Sequence, residues 1–439
     1  MPEPEEPAEP AEPADPASAA AAEKVTLGVI LGDRAVRAAM VASLANTLGY
    51  GLIAPILPLF ARSFGVGYDA AGLLISGFAF ARLVFDLGTG PIVDRLRERM
   101  AASVGVAVIG VSAMFTAAAP TFSLAVIARA AGGAGSAVMF AAIYSYLLKV
   151  VPKDRVARTL SVYFGTFNIG AVAGAPLGGL LAHLFGLRAP LWIYAGLCLL
   201  SGWMFLRQTS DPPREDGAGG GASARRVAGP AWRRALRAAR DLFGARAFRA
   251  ALGANLAGFW VSGAAISTLV PLFAQHALRM SPFAIGGAIA ALTVTEFALL
   301  YPAAAFSDRH GRKGALLAGL GLVAVLTAAL PFAPSALWFG VLMAAGGIGS
   351  GIWGSGSSAM LADLVPQDAM TTAVSVYRFF GDLGFVLGPA LAGLCASGLG
   401  FRWAFLVSVV PTVVAFGMVA RAPDTRRLRP PGRDEGVGL

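Results

Sequence analysis

Apolar runs long enough to cross a bilayer recur along almost the whole chain, separated by short polar, glycine-rich or proline-rich breaks. A membrane-spanning helix needs about 20 mostly apolar residues. Runs of roughly that length fall at about 36–60, 68–92, 101–121, 122–148, 157–185, 188–206, 250–277, 283–306, 314–333, 335–364, 371–399 and 402–420. Lipid offers no partner to an exposed N–H or C=O, so each run is predicted to be helical. The expectation is an all-α polytopic membrane protein with about twelve transmembrane helices. Pro55 and Pro58 in the first run, Pro176 in the fifth, Pro271 in the seventh and Pro389 in the eleventh are expected to kink or unwind their helices.

The pattern is also a duplicate. Asp94-Arg95 and Asp308-Arg309 lie 214 positions apart. The same offset aligns Ala130-Ala131-Gly132-Gly133 with Ala344-Ala345-Gly346-Gly347, and Pro152 and Asp154 with Pro366 and Asp368. It also aligns Ser161-Val162-Tyr163 with Ser375-Val376-Tyr377, and Gly170 and Gly174 with Gly384 and Gly388. Two copies of six spans predict two pseudo-symmetric six-helix bundles around a central cavity. Residues 1–30 read as an acidic Pro/Glu/Ala tail with too little apolar surface to fold. The N-terminal bundle follows at 31–207 and the C-terminal bundle at 249–421. Between them, 208–248 form a linker whose Trp232, Leu236, Ala239 and Phe243 recur at helical spacing among arginines, as in a surface-lying amphipathic helix. Residues 422–439 are a basic tail.

Composition agrees with this picture. Hydrophobic residues make up 56% of the chain and charged residues 14%, against about 25% charged in a soluble domain. The net charge of +10 follows topology rather than nucleic-acid binding. Arg95, Arg97, Arg99, Lys149, Lys153, Arg155, Arg158, Arg309, Arg312 and Lys313, the run from Arg207 to Arg249 and the tail arginines all fall on one side of the predicted helices. The other side holds only Arg62, Arg188, Arg279 and Arg402. The positive-inside rule then places both termini and the linker in the cytoplasm and the spans in the cell membrane. No basic start precedes a short apolar core, so the first span is expected to be its own insertion signal. Cys198 and Cys395 lie inside spans without metal or redox spacing. No nucleotide loop, metal cluster or nucleophile constellation is legible. The reading is therefore no enzyme, no metal and no cofactor, with energy drawn from a gradient. The expected partners are a small-molecule substrate, protons and the lipid bilayer, with a monomeric chain.

The repeated loop carries a family resemblance. Gly90, Asp94, Arg95 and Arg99 in the first copy, and Asp308, Arg309, Gly311, Arg312 and Lys313 in the second, resemble the loop motif of the major facilitator superfamily. Arg97 stands where that motif has glycine, and Ala304 where it begins with one. Arg129-x-x-Gly132-Gly133-x-Gly135 is similar to the family's fourth-span motif. Gly384-x-x-x-Gly388-Pro389-x-x-x-Gly393 resembles its antiporter motif, although that motif usually lies in the fifth span. The first span, NTLGYGLIAPILPLF, resembles that of twelve-span drug:proton antiporters and, more distantly, vesicular amine transporters. Where those carry an acid, this chain has Asn46. The resemblance implies that the second span packs beside the eleventh across the two bundles. It implies that Arg129 lines the central cavity and assists proton coupling.

The copies agree in glycines and differ in charges. Arg82 aligns with Glu296, Asp86 with Leu300, Arg129 with Met343, and Asn168 with Asp382. Charges inside a bilayer are costly and are retained when paired, hydrated or useful. Arg82 and Asp86 are one turn apart, as are Arg378 and Asp382. On antiparallel neighbouring helices, Asp86 comes level with Arg378, and Arg82 with Asp382. These four are expected either to form a gate across the bundles or to remain two private pairs. Glu296 has no basic residue one turn away. Desolvation favours the uncharged form of a lone carboxyl, so Glu296 ranks first as proton carrier, followed by Asp382, Asp86 and Arg129. Asp94 and Asp308 are expected to cap helices across the bundles. Asn46, Tyr50, Tyr144, Asn255, Trp260 and Trp353 are candidate cavity residues.

These features point to proton-coupled efflux of small hydrophobic or amphipathic compounds by alternating access. Symport or uniport of a metabolite or organic anion, and a receptor of the same fold, are the alternatives.

Overall fold

The computed structural model describes residues 32–86, 88–152, 155–211, 243–299, 302–303, 305–307, 311–365 and 370–424. The predicted linker helix and most of both tails lie outside these residues. Among the described residues every regular element is a helix, and the membrane helices follow the predicted order. The N-terminal bundle contains α1 (Arg34–Ile53, resuming as Leu57–Arg62), α2 (Tyr68–Asp86), α3 (Glu98–Ala118), α4 (Phe122–Val150), α5 (Val156–Phe185) and α6 (Ala189–Gln208). The C-terminal bundle contains α7 (Arg246–His276), α8 (Pro282–Ala298), α9 (Arg312–Ala329), α10 (Ala336–Leu364), α11 (Met370–Leu399) and α12 (Phe401–Arg421). Residues 34, 208, 246 and 421 share one face of the bundle, here called the termini face; the opposite side is the far face.

Two predicted spans are interrupted. The first run does not continue to residue 60 as one helix but breaks at Ala54–Ile56. Pro55 and Pro58 supply no N–H, and Pro58 sits in the first turn of the resumed helix, where that loss costs nothing. The second run does not reach residue 92. Helix α2 ends at Asp86, and a separate short helix, Thr89–Leu96, lies after Gly88. Pro91 cannot donate back along the ladder, while Thr89 Oγ1 donates to the Asp86 carbonyl at 3.2 Å and closes the end.

Helix α7 is interrupted more subtly, by a π-helical stretch at Ser262–Leu269. Pro271 has no N–H for the Ser267 carbonyl, and its ring crowds that carbonyl. The wider π turn relieves the clash, and Thr268 Oγ1 donates to the Gly263 carbonyl at 2.8 Å.

Glycines let the helices meet backbone to backbone, which packs bundles where lipid provides no hydrophobic drive. Gly170, Gly174 and Gly178 of α5 sit on residues 47–52 of α1, where an added Cβ would meet backbone atoms. The equivalent Gly384 and Gly388 of α11 sit on Leu256, Trp260 and Ala264 of α7. The duplication seen in the sequence is therefore a duplicated packing seam.

The repeat extends to the tight turns. Among the described residues, positive φ occurs at Gly65 and Arg279, Arg97 and Gly311, and Gly186 and Gly400, three pairs each 214 apart. An ion pair is also repeated, with its sign reversed. Glu98 at the start of α3 pairs with Lys149 at the end of α4. In the second copy, Arg312 Nε lies 3.2 Å from Asp363 Oδ2.

Candidate functional site

The bundles touch along two seams, α2 with α11 and α5 with α8. Toward the far face both seams are tight. A Cβ on Gly72 of α2 would run into the Pro389 carbonyl of α11, and one on Gly393 into the Tyr68 carbonyl. Ser76 Oγ donates to the Val386 carbonyl at 2.6 Å, and the Asp69 N–H donates to Ser397 Oγ at 2.8 Å. In the other seam, Gly286 of α8 approaches the Ala175 carbonyl and Gly179 of α5 the Pro282 carbonyl. Of the proposed antiporter-motif residues, Gly384 and Gly388 thus pack within the C-terminal bundle. Pro389 and Gly393 close the seam between bundles.

Toward the termini face, the α2–α11 seam carries charges. Arg82 Nη2 lies 3.7 Å from Asp382 Oδ1 and Arg82 Nε lies 3.9 Å from Asp86 Oδ2. Arg82 therefore bridges both carboxylates. Arg378 does not come within ion-pair distance of either acid. Its guanidinium lies 4.4 Å from the centre of the Phe140 ring of α4, so it too reaches across the bundles, but to an aromatic face. The stacked Phe140 and Tyr144, with Asp86, Ser375, Arg378 and Asp382, line a cavity of ≈ 330 Å³.

A second cavity, of ≈ 290 Å³, lies near mid-depth and mostly within the C-terminal bundle. Glu296 projects into it among Tyr50, Phe297, Trp353 and Phe385, with hydroxyls from Ser262, Ser267 and Thr293. Glu296 is roughly 21 Å along α8 from Pro282, at 1.5 Å per residue. Among the described residues it is the only carboxylate lining this cavity, and no described Lys or Arg lines it. Among the described residues it makes no ion pair or hydrogen bond.

Other sequence candidates have different places. Arg129 is 1% exposed, and its guanidinium lies 4.1 Å from the Phe78 ring centre. Tyr50, Tyr194 and Cys198 surround it, and its Nε and Nη1 have no hydrogen-bond partner. It stands behind the wall of the central cavity rather than on it. Of the six cavity candidates, Tyr50 and Trp353 line the cavity that holds Glu296, and Tyr144 lines the charged cavity at the α2–α11 seam. Trp353 is oriented by Nε1 donating to the Ala254 carbonyl at 2.9 Å. Asn46, Asn255 and Trp260 line neither. The Asn46 Oδ1 accepts from the Tyr194 hydroxyl at 3.1 Å. Asn255 donates to the Tyr377 carbonyl at 2.6 Å and staples α7 to α11. Trp260 packs against Gly384 and Gly388.

In the loops, Asp94 is exposed; residues 366–369, which precede α11, lie outside the described residues. Arg95 and Gly90 are also exposed. Arg99 Nε donates to the Leu206 carbonyl at 3.1 Å, and Lys313 Nζ to the Ala422 carbonyl at 2.8 Å. These two residues tie the loops to the ends of α6 and α12. Gly311 adopts φ 87°, and Arg312 holds Asp363. Asp308 and Arg309 lie outside the described residues.

Sequence reasoning missed the Glu98–Lys149 pair, which the repeat offset from Arg312 and Asp363 would have revealed. The distortion before Pro271 was expected from that proline, but its π-helical form was not legible.

Helix order, duplicated packing seams and a mid-depth cavity mostly within the C-terminal bundle are those of a polytopic carrier. The chain belongs to the Major Facilitator Superfamily, whose profile matches residues 39–295 and 252–437. It is a multi-pass membrane transporter, not an enzyme. It is 24% identical over 172 residues to the quinolone resistance protein NorA of Staphylococcus aureus, across 39% of this chain and 44% of NorA. It is 28% identical over 154 residues to the uncharacterized MFS-type transporter MJ1560 of Methanocaldococcus jannaschii, across 35% of this chain and 40% of that one. The matches thus span less than half the length of these curated relatives. Its fold is similar to that of a bacterial homolog of the human lysosomal transporter Spinster in an inward-facing, unoccupied conformation. That likeness has a TM-score of 0.74 at 17% identity, covering 88% of this chain and 95% of that one. The D-xylose–proton symporter aligns with a TM-score of 0.69 at 15% identity, covering 88% and 98%.

Proposed function

We propose that this transporter exports small hydrophobic or amphipathic compounds in exchange for protons, with both termini in the cytoplasm. The observation that carries the reading is Glu296, a lone carboxyl facing aromatic walls in the mid-depth cavity with no basic residue beside it. Such a group can take up a proton from one side and release it to the other as water access alternates. The aromatic walls suit an apolar or amphipathic guest. The absence of Lys and Arg from the lining speaks against an organic anion there. The bias of basic residues supports the orientation, and the quinolone-resistance relative supports efflux.

In this reading the far seam is shut and the cavity is reached from the cytoplasm. Substrate and proton compete for the site around Glu296. Opening of the far seam, by parting of Gly72 from Pro389 and Gly286 from Ala175, releases substrate and admits a proton. The Arg82–Asp382 bridge lies where the cytoplasmic side must close, so it is placed to reorganise in each cycle.

The hydroxyls of Ser262, Ser267 and Thr293 favour a second reading, proton symport of a polar metabolite. Proteoliposomes with an imposed pH step separate the two by the direction of flux. For either reading, Glu296→Gln is expected to abolish pH-driven accumulation while leaving substrate exchange. Accumulation by the variant at the wild-type level would remove Glu296 from coupling.

A further inference from the structure

The far face carries few basic side chains, yet two of them converge on one cleft. Arg62 and Tyr68 from the N-terminal bundle, and Leu272, Gln275, His276 and Arg279 from the C-terminal bundle, line a space of ≈ 290 Å³ at the seam. The Tyr68 hydroxyl and His276 Nδ1 are hydrogen-bonded at 3.1 Å across the bundles. The Arg62 guanidinium lies 4.5 Å from the Tyr68 ring centre and donates to the Val66 carbonyl. Among the described residues no carboxylate lines the cleft. The nearby Asp69 instead accepts from Ser397 Oγ at 3.2 Å.

The repeat shows which of these charges the scaffold does not require. Arg188 and Arg402, the other far-face arginines, occupy equivalent positions in the two copies. Arg62 aligns with His276, and Arg279 aligns with Gly65. Gly65 and Arg279 both adopt left-handed φ, 79° and 53°. The Met280 N–H donates to the Ala274 carbonyl at 3.0 Å, so the chain reverses just past the end of α7, with Arg279 in a backbone conformation that glycine adopts most readily. A side chain there strains the backbone, because its Cβ crowds the neighbouring carbonyl oxygen. The other arginine held in this way, Arg97, forms an ion pair with Asp211 at 3.3 Å. Arg279 has no ion pair or hydrogen bond from its guanidinium among the described residues. Its charge stands at a strained position, beside a second arginine, in a cleft without an acid.

We propose that this cleft binds an anionic oxygen group, such as a free oxyanion or the phosphate of a lipid head group. Arg279 and Arg62 supply charge, and Gln275 and His276 supply directional donors. A guanidinium fork suits such a ligand better than a point charge would. Because the donors come from both bundles, the bound anion ties the far seam together.

The test uses the full chain purified in an uncharged, phosphate-free detergent. Inorganic phosphate is titrated against chloride at matched ionic strength, and a second arm adds phosphatidylglycerol. The readout is the thermal midpoint, which rises with any ligand that binds only the folded state. Arg279→Gly installs the residue its counterpart already has, so its midpoint without ligand should equal or exceed that of the wild type. It should raise the half-saturating ligand concentration at least tenfold. Stabilisation by phosphate that is lost in Arg279→Gly supports a free-anion site. Stabilisation by the lipid alone, equally lost, supports the same site with a lipid phosphate. The proposal is overturned if neither ligand stabilises the wild type, if chloride does as well, or if Arg279→Gly responds like the wild type.

Discussion

Arg82 of α2 and Asp382 of α11 lie 3.7 Å apart across the two bundles, and the same guanidinium stands 3.9 Å from Asp86. One cation is thus shared between an acid of its own helix and an acid of the opposing bundle. Both partners of the cross-bundle pair are partly exposed, so the contact contributes little to stability, on the order of 1 kcal/mol. Its importance is positional: in the proposed exchange cycle it joins two helices that must part.

Reversing this pair tests the bridge. Arg82→Asp and Asp382→Arg are each expected to lower transport at least tenfold, and the double variant to recover a substantial part. Flux in proteoliposomes at equal protein density is the measurement. A double variant no better than either single would show that the two residues do not pair during turnover.

The far seam should be sensitive to a single methyl group. At Gly72 a Cβ would collide with the Pro389 carbonyl. Overpacking of this kind costs about 1–3 kcal/mol. Gly72→Ala is therefore expected to disfavour the far-closed conformation and lower transport while the protein still assembles. Spin-label distances between the far ends of α2 and α11 should lengthen; an unchanged distance distribution would contradict this.

The sign-reversed pairs of the two copies predict tolerance to reversal. Glu98 is 6% exposed and is held by Lys149, with Ser145 Oγ donating at 3.4 Å. Lys149→Glu should lower stability by about 1–2 kcal/mol, below the cost for a fully buried pair because Lys149 is half exposed. Glu98→Lys combined with Lys149→Glu recreates the polarity of Arg312 and Asp363 and should restore most of the thermal midpoint. A fluorescence-based melt in detergent reads the difference.

Asn255 should behave as a structural residue. Its amide is buried and donates to the Tyr377 carbonyl at 2.6 Å. Asn255→Ala is expected to lower stability by about 1–2 kcal/mol and to leave the ranking of transported compounds unchanged. A shifted ranking in competition assays would return Asn255 to the substrate site.

Much of the fold was legible because lipid leaves the backbone few choices. Apolar run length predicted the number and order of the helices, although the first, second and eighth end six to eight residues short of their runs, and the 214-residue offset predicted two alike bundles. The break at Ala54–Ile56 falls where Pro55 and Pro58 predict a kinked or unwound helix, whereas the end of α2 at Asp86 is not legible, since the hydrophobic run continues past it. Glu296 stood out because a lone membrane carboxyl is rare. Asn46, Asn255 and Trp260 were misplaced for the opposite reason. A polar or aromatic residue inside a span can face a cavity or a neighbouring helix, and composition does not distinguish the two.

The sequence by itself determined the class of molecule, the duplicated helix order and the residues on which the copies disagree, because bilayer thickness and small-residue packing act locally along the chain. Only the tertiary structure decided partnership. It directed Arg378 to Phe140 rather than to an acid, drew Arg129 behind the cavity wall, and brought Arg62 and Arg279 to one cleft. Those outcomes depend on helix rotation and on the approach of two bundles. Both are set by glycine contacts between residues hundreds of positions apart, which no local pattern encodes.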